Sequence, residues 1–190
     1  MNDHMTADDF EQRYRNEDDP WDYEDSPYEQ AKYEATLEAC GPGPFACALE
    51  LGGSIGVFTE RLAPRCEQLT TIDVSRTAAA MARRRVADWP GTRVLRGSIP
   101  DDIPELEYDL VVASEILYYL EEDCFERTVA VIRARLVPGG RLVAVHWRPA
   151  GPERPFTGSQ VHARLRDDPW LTSVRGEQAP GYLLDVLERR

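Results

Sequence analysis

Lysine is nearly missing from this sequence, with Lys32 the one example among 22 basic residues. Bases of either kind are outnumbered by 34 acids, which leaves a formal charge of −12 over 190 residues and a pI near 4.7. Duplex nucleic acid and anionic membranes are held by basic surfaces that displace counterions, so neither is an expected partner. Long apolar runs are missing too. Stretches such as Leu110 to Ala113 fall far short of a membrane span, and the opening Met1 to Thr6 is polar without an apolar signal region, so a soluble cytoplasmic protein is expected. Cys40, Cys47, Cys66 and Cys124 lack the close paired spacing of a zinc site and read as buried or incidental thiols, with no metal site expected. Nothing in the composition speaks to the oligomeric state.

What is present is distributed unevenly. Residues 1–34 hold 12 acids and 3 bases, net −9, whereas the other 156 hold 22 acids and 19 bases, net −3. The acidity belongs to an N-terminal arm, residues 1–40, and the nearly balanced body, residues 41–190, has the length of one domain with its own core. Charge and Pro20 make a solvated tail the plain reading of Asn2 to Tyr23. Its rings oppose that reading, because Phe10, Tyr14, Trp21, Tyr23 and Tyr28 are large apolar groups that gain most from burial. Ser26, Pro27 and Glu29 have the spacing of an N-cap, a first-turn proline and a third-position acid. A helix is predicted from there to about Glu38, before Gly41 to Pro44 end it.

Beyond that turn the chain alternates. Phe45 to Leu51 is a near-continuous apolar run, followed by Gly52, Gly53 and Gly56 and a helical stretch to Leu62, which is how a buried parallel sheet opens. Leu69 to Val74 is a second strand, and Ser75 caps a helix that runs to Trp89. Thr92 to Leu95, Tyr108 to Ser114 and Arg141 to Trp147 are further strands. Asp123 to Leu136 and Ser159 to Arg166 are helices. Leu171 to Gln178 and Tyr182 to Glu188 have no helix between them and are expected as antiparallel neighbours. The sum is an α/β fold: a doubly wound, seven-stranded, mostly parallel sheet with an antiparallel last strand and helices on both faces.

Ligands of such sheets bind beyond the carboxyl ends of the strands. The first strand ends in Glu50-Leu51-Gly52-Gly53-Ser54-Ile55-Gly56. This is one spacing short of the pattern that admits a pyrophosphate, and Glu50 disfavours a nearby diphosphate while suiting a cationic ligand. A nicotinamide oxidoreductase is correspondingly disfavoured. The second ends in Ile72-Asp73-Val74, and a carboxylate there accepts both hydroxyls of a ribose. Gly97, Ser98 and Ile99 offer a hydroxyl and an apolar flank for a base, and Ser114-Glu115 begins a turn with aromatic surface beyond it. Glu115 and His146 end neighbouring strands and are the candidate bases, each with a structural alternative as a cap or a satisfied hydrogen-bonding residue. His4 and His162 read as surface residues.

These features resemble the class I S-adenosylmethionine-dependent methyltransferases, which have a Rossmann-like sheet. More narrowly, Asp19-Pro20-Trp21, Ser26-Pro27-Tyr28-Glu29 with Lys32-Tyr33, the Ser54-Ile55-Gly56 loop, Ser114 to Leu120 and His146-Trp147-Arg148 are similar to the nodulation methyltransferase (NodS-like) group. The resemblance implies S-adenosyl-L-methionine as cofactor and S-adenosyl-L-homocysteine as product. It implies binding through Trp21, Tyr28, Glu50, Gly52, Gly53, Ser54, Gly56, Asp73, Val74, Ser98, Ile99 and Ser114. It also implies methyl transfer to a small-molecule acceptor, the amine of an amino sugar or glycan precursor first, with no metal required. The alternatives are O-methylation of a sugar or other polar metabolite, or binding without catalysis. The second half of the arm becomes a lid helix over the cofactor, with a free tail of about ten residues. Where the group has cysteine after the first glycine of the loop, this chain has Gly53, a loss of packing without an evident clash.

Overall fold

The computed structural model describes residues 4–190, so part of the polar opening expected over Met1 to Thr6 lies outside the described residues. One sheet carries β1 (Ala48–Leu51), β2 (Leu69–Asp73), β3 (Thr92–Arg96), β4 (Tyr108–Ser114), β5 (Leu136–Trp147), β6 (Leu171–Gln178) and β7 (Tyr182–Arg189). The helices are α1 (Ala7–Asn16), α2 (Pro27–Cys40), α3 (Val57–Leu62), α4 (Arg76–Arg85), α5 (Glu122–Arg135) and α6 (Gly158–Asp167). Strand order is β3-β2-β1-β4-β5-β7-β6, with β7 antiparallel to both of its neighbours and the pairs from β3 through β5 parallel. Order reverses between β1 and β4, so their carboxyl ends flank the crevice where such sheets bind ligands. Among the described residues no helix is long and apolar enough to cross a membrane.

Two cores follow from the strand period of two. Leu110, Val112, Val143, Val145 and Leu184 pack with Tyr33 and Ala39 of α2, Phe58 and Leu62 of α3 and Ala78 of α4. Val111, Ala113, Leu142, Ala144 and Leu187 pack on the other face with Phe125 and Ile132 of α5 and Val161 and Leu165 of α6. The expected fold is observed.

Its boundaries differ from the sequence reading by more than two residues in three places. β1 starts at Ala48, because Phe45 makes only an isolated bridge to Cys66. α4 stops at Arg85 instead of reaching Trp89. β5 begins at Leu136, not Arg141: α5 ends one residue earlier, Leu136 pairs with Tyr108, and a register shift between Tyr108 and Leu110 takes up the turn residues.

The arm is the larger departure. Residues 7–16, the first four of them within the expected free tail of about ten residues, form α1, with Thr6 and Asp9 in a reciprocal capping box. A Thr three residues before an acid is a helix-start signature, and Phe10 and Tyr14 recur at helical spacing behind it. Glu11 docks this helix on α4. Its carboxylate accepts from Ser75 Oγ at 2.8 Å, from the Thr77 backbone N–H at 3.0 Å and from Thr77 Oγ1 at 2.9 Å. The carboxylate thus sits at the amino end of α4, where free N–H groups favour an anion. Burial pushes its pKa up, but the Thr77 and Ser75 donors prevail and hold it at about 2. A depressed carboxylate stabilises the docked state fully above its unfolded pKa, near 4.5, and progressively less as pH falls toward 2. Limited proteolysis of the arm should therefore quicken between pH 4.5 and the lowest pH at which the body stays folded. Glu11→Ala should show the fast pattern already at neutral pH, and equal rates for the two proteins would exclude the latch.

Candidate active site

The carboxyl ends of β1, β2 and β4, together with the arm, enclose a cavity of about 510 Å³. That lies within the roughly 300–1,000 Å³ typical of small-molecule sites. Phe10 and Tyr14 of α1, Trp21, and Tyr28 and Lys32 of α2 form the arm side. Gly52, Ser54, Asp73, Val74, Ile99, Ser114 and Glu115 form the strand-end side. Gly52 at φ 73° and Ser54 at φ 51° are both left-handed, a conformation that costs Ser54 strain and that turns the loop sharply across the end of β1. A Cβ on Gly52 would lie 3.1 Å from the Ile116 side chain, so the β1 and β4 turns meet closely there.

Asp73 is held from two sides. Oδ2 accepts from the Ser54 N–H at 2.8 Å and Oδ1 from the Ser75 N–H at 2.8 Å. A carboxylate has about four acceptor positions, so two remain for a ligand. Burial raises the carboxyl to about 6, against the lowering effect of those two N–H groups. Ser54 Oγ is in turn bonded to Tyr14 Oη at 2.5 Å, which ties α1 to the glycine turn. Glu50 lies behind the turn and accepts from Thr59 Oγ1 at 2.5 Å. Its burial raises it to about 7. Glu50 and Gly53 line a small adjoining cavity of about 40 Å³ that shares Gly52, Ser54, Ser114 and Glu115 with the main one.

Three expectations for the loop residues need correction. Ser98 is not on the cavity wall: its N–H bonds Asp102 at 2.8 Å within the loop, while Gly97 and Ile99 on either side reach the wall. Gly56 is also off the wall. It caps α3 at φ 85°, and its missing Cβ, which would meet the Ala82 Cα at 2.9 Å, lets α3 approach α4. Gly53 is not a loss of packing, because a Cβ there would lie 1.9 Å from Thr71 Oγ1 and the threonine fills the space.

The two candidate bases are both engaged. His146 is fully buried and off the wall, with Nε2 accepting from the Leu117 N–H at 3.2 Å and Nδ1 against His162 Nε2 at 3.1 Å. Burial, with His162 next, pushes its pKa well down. Its position therefore contradicts the expectation that it faces an acceptor. His162, read as a surface residue, is buried as well. Glu115 does reach the cavity, but Oε1 pairs with Lys32 Nζ at 2.8 Å, and Oε2 accepts from the Trp147 N–H at 2.9 Å and from Tyr118 Oη. Lys32 is only 3% exposed and also pairs with Glu29 at 2.9 Å. Burial alone would lower this ammonium, and the two carboxylates reverse that and leave it above its ordinary value. The sequence reading missed this ion-pair group; the Arg154 guanidinium lies 4.6 Å from the Tyr118 ring centre and 5.2 Å from that of Trp147. The single lysine, inside an otherwise acidic arm, was the available signal for the ion-pair group.

Sheet order, glycine turn and the fixed acid after β2 define the class, the Rossmann-like methyltransferase fold. The chain belongs to the Nodulation protein S (NodS) family, whose family model matches residues 4–143. It is similar to Nodulation protein S of Rhizobium tropici, 38% identical over 140 residues, which is 72% of this chain and 58% of that protein. The match thus spans less than two thirds of that relative's own length. Among solved structures it is similar to the N-methyltransferase NodS from Bradyrhizobium japonicum WM9 in complex with S-adenosyl-L-homocysteine. There the TM-score is 0.86 at 28% identity, covering 100% of this chain and 99% of that one. A putative methyltransferase from Pseudomonas syringae follows at TM-score 0.75 and 33% identity, covering 85% of this chain and 99% of that one.

Replacing Lys32 by Met removes the cation between two largely enclosed carboxylates. Loss of one partner of a buried pair costs about 3–5 kcal/mol, because the other is left uncompensated. Lys32→Met should destabilise by that order in denaturant unfolding, and Lys32→Met with Glu115→Gln should lose less than Lys32→Met alone. An additive double variant would refute the pairing as an energetic unit.

Proposed function

We propose that this chain is an S-adenosylmethionine-dependent N-methyltransferase acting on a small-molecule acceptor, with the amine of an amino sugar or glycan precursor as the favoured class. The observation that carries the reading is the strand-end cavity in which Asp73, fixed by two backbone N–H groups, faces the glycine turn at Gly52 and Ser54. The likeness over the full chain to an N-methyltransferase solved with S-adenosyl-L-homocysteine supports it.

The residues fit that cofactor. Asp73 has acceptor capacity for both ribose hydroxyls, Val74 and Ile99 offer apolar flanks for the adenine, and the close backbone at Gly52 and Ser114 suits the amino-acid end. When bound, the cofactor supplies a methyl group on a sulfonium. The chain's contribution is to orient the partners and exclude water. The arm does the second: Phe10, Tyr14 and Trp21 pack their rings together over the cavity, with Phe10 edge-on to Tyr119 at 5.0 Å, and in this reading they are the lid. On the acceptor side, the Trp147 ring is 42% exposed beside Arg154 and offers a face to a sugar ring. A neutral amine brings its own lone pair, whereas a hydroxyl must first lose a proton. With Glu115 and His146 both engaged, the arrangement favours the amine. The acidic arm likewise favours neutral or cationic acceptors, and the cytoplasm is the expected location.

Calorimetry with S-adenosyl-L-homocysteine tests the reading. Binding is expected, and Asp73→Ala should weaken it by about 1–3 kcal/mol, the cost of leaving polar partners unmade. The carboxyl sits near 6 in the free protein, and the ionised form is the better acceptor. Affinity should therefore rise from pH 5 to pH 7.5, with proton release on binding near pH 6. Bound ligand should also slow proteolysis near Trp21. A folded protein that binds none of it would sink the proposal, and mass analysis of methyl transfer to a glucosamine oligosaccharide then tests the acceptor class.

A further inference from the structure

A chain of buried polar groups runs under the Glu115 turn on the face away from the arm. The Leu117 N–H meets His146 Nε2 at 3.2 Å, and His146 Nδ1 meets His162 Nε2 at 3.1 Å. His162 Nδ1 meets Asp185 Oδ2 at 2.7 Å, and Arg166 closes the line with its Nη2 2.8 Å from Asp185 Oδ1 and its Nε 2.8 Å from Oδ2. His146, His162 and Asp185 are fully buried. The protons have one arrangement. An amide can only donate and a carboxylate only accept. His146 Nε2 is therefore bare and Nδ1 carries the hydrogen, which it donates to His162 Nε2. His162 likewise carries its hydrogen on Nδ1 and donates it to Asp185. An added proton on either ring would face another N–H, so neither histidine has a free site for proton transfer.

We infer that this line is a positioning relay, in which Arg166 and Asp185 fix the tautomer of His162, His162 fixes His146, and His146 holds the Leu117 amide and so the turn that presents Glu115 and Tyr118 to the cavity. Four separate elements supply its members: the turn after β4, β5, α6 and β7. The Tyr118 ring lies edge-on to His146 at 5.1 Å, and its hydroxyl bonds Glu115, so the relay and the ion-pair group of the arm grip one turn from opposite faces. Asp185 is three hydrogen bonds from Leu117, yet it acts on the same geometry. For catalysis the inference rests on the methyltransferase reading; for the turn it does not.

Three variants decide it: His146→Leu, His146→Gln, which retains an acceptor for the amide, and the near-isosteric Asp185→Asn. Hydrogen exchange of the Leu117 amide should quicken at least tenfold in His146→Leu and less in His146→Gln. In Asp185→Asn it should quicken measurably, with the amides of α5 unchanged in all three. With S-adenosylmethionine and a glucosamine oligosaccharide, kcat should fall at least tenfold in His146→Leu, while the Kd for S-adenosyl-L-homocysteine stays within threefold. Wild-type exchange at Leu117 in His146→Leu, or exchange that quickens equally throughout α5 and α6, overturns the relay. Failure of the wild-type protein to bind S-adenosyl-L-homocysteine overturns the methyltransferase reading instead and leaves the exchange result to judge the relay.

Discussion

The Glu115 carboxylate is the point on which the site's geometry depends. It belongs to the turn after β4 and binds Lys32 of α2, the backbone N–H of Trp147 at the end of β5, and Tyr118 in its own turn. Its backbone is left-handed at φ 55°, a state that costs a residue with a Cβ on the order of 1–3 kcal/mol and persists only where the surroundings over-determine it. They do so here. The side chain is pinned at both oxygens, its N–H is pinned to Val145 O at 2.8 Å, and the next amide but one is pinned by His146. Strain at the switch point of the sheet is thereby converted into a fixed direction for the turn.

The same carboxylate explains why an arm with net −9 over its first 34 residues lies on this body. Its one lysine, almost wholly enclosed, supplies the charge that Glu115 and Glu29 require. Rings and hydrogen bonds do the rest, with Tyr14 on Ser54 and Glu11 on the start of α4. Such contacts are graded in burial. The Glu11 carboxylate is partly exposed while Lys32 is almost wholly enclosed, so α2 is built into the body more deeply than the Glu11 contact of α1.

The body of the fold was legible because its strands are apolar runs closed by glycine, proline or a capping serine, and those signals are local. What escaped the sequence reading is either weak or distant. The start of α1 has a capping box, but its mean polarity resembles that of a tail. β5 opens through Pro138, Gly139 and Gly140, residues that normally announce a turn and that sit in a register shift, while Leu136 before them and Arg141 after them pair with β4 and keep the run in one strand. His146 was misdirected for a more instructive reason. Residue type placed it at a strand end, yet the period of two sets it with Leu142 and Ala144, which face α5 and α6 and not the arm. Alternation along β5 already held that information. The Glu115 to Lys32 pair, 83 positions apart, leaves no pattern in a single chain.

Near neutral pH the site's acids pull in opposite directions, and the arm links them. Glu11 is held down at about 2, so its contribution to docking is complete once the pH exceeds about 4.5. Asp73 and Glu50 are held up, at about 6 and about 7, so each withdraws stability from the free protein as pH rises from its unfolded value through its folded one. Docking α1 adds to this, since the Glu11 charge is one of the influences that raises Asp73. A closed arm thus leaves a carboxylate beneath it that gains from any ligand offering hydrogen-bond donors. A nucleoside diol supplies them, and binding that favours the ionised carboxylate draws its pKa back down. Through the Glu11 charge, docking of α1 and occupation of the strand-end site therefore oppose one another, because the first favours the protonated Asp73 and the second the ionised one.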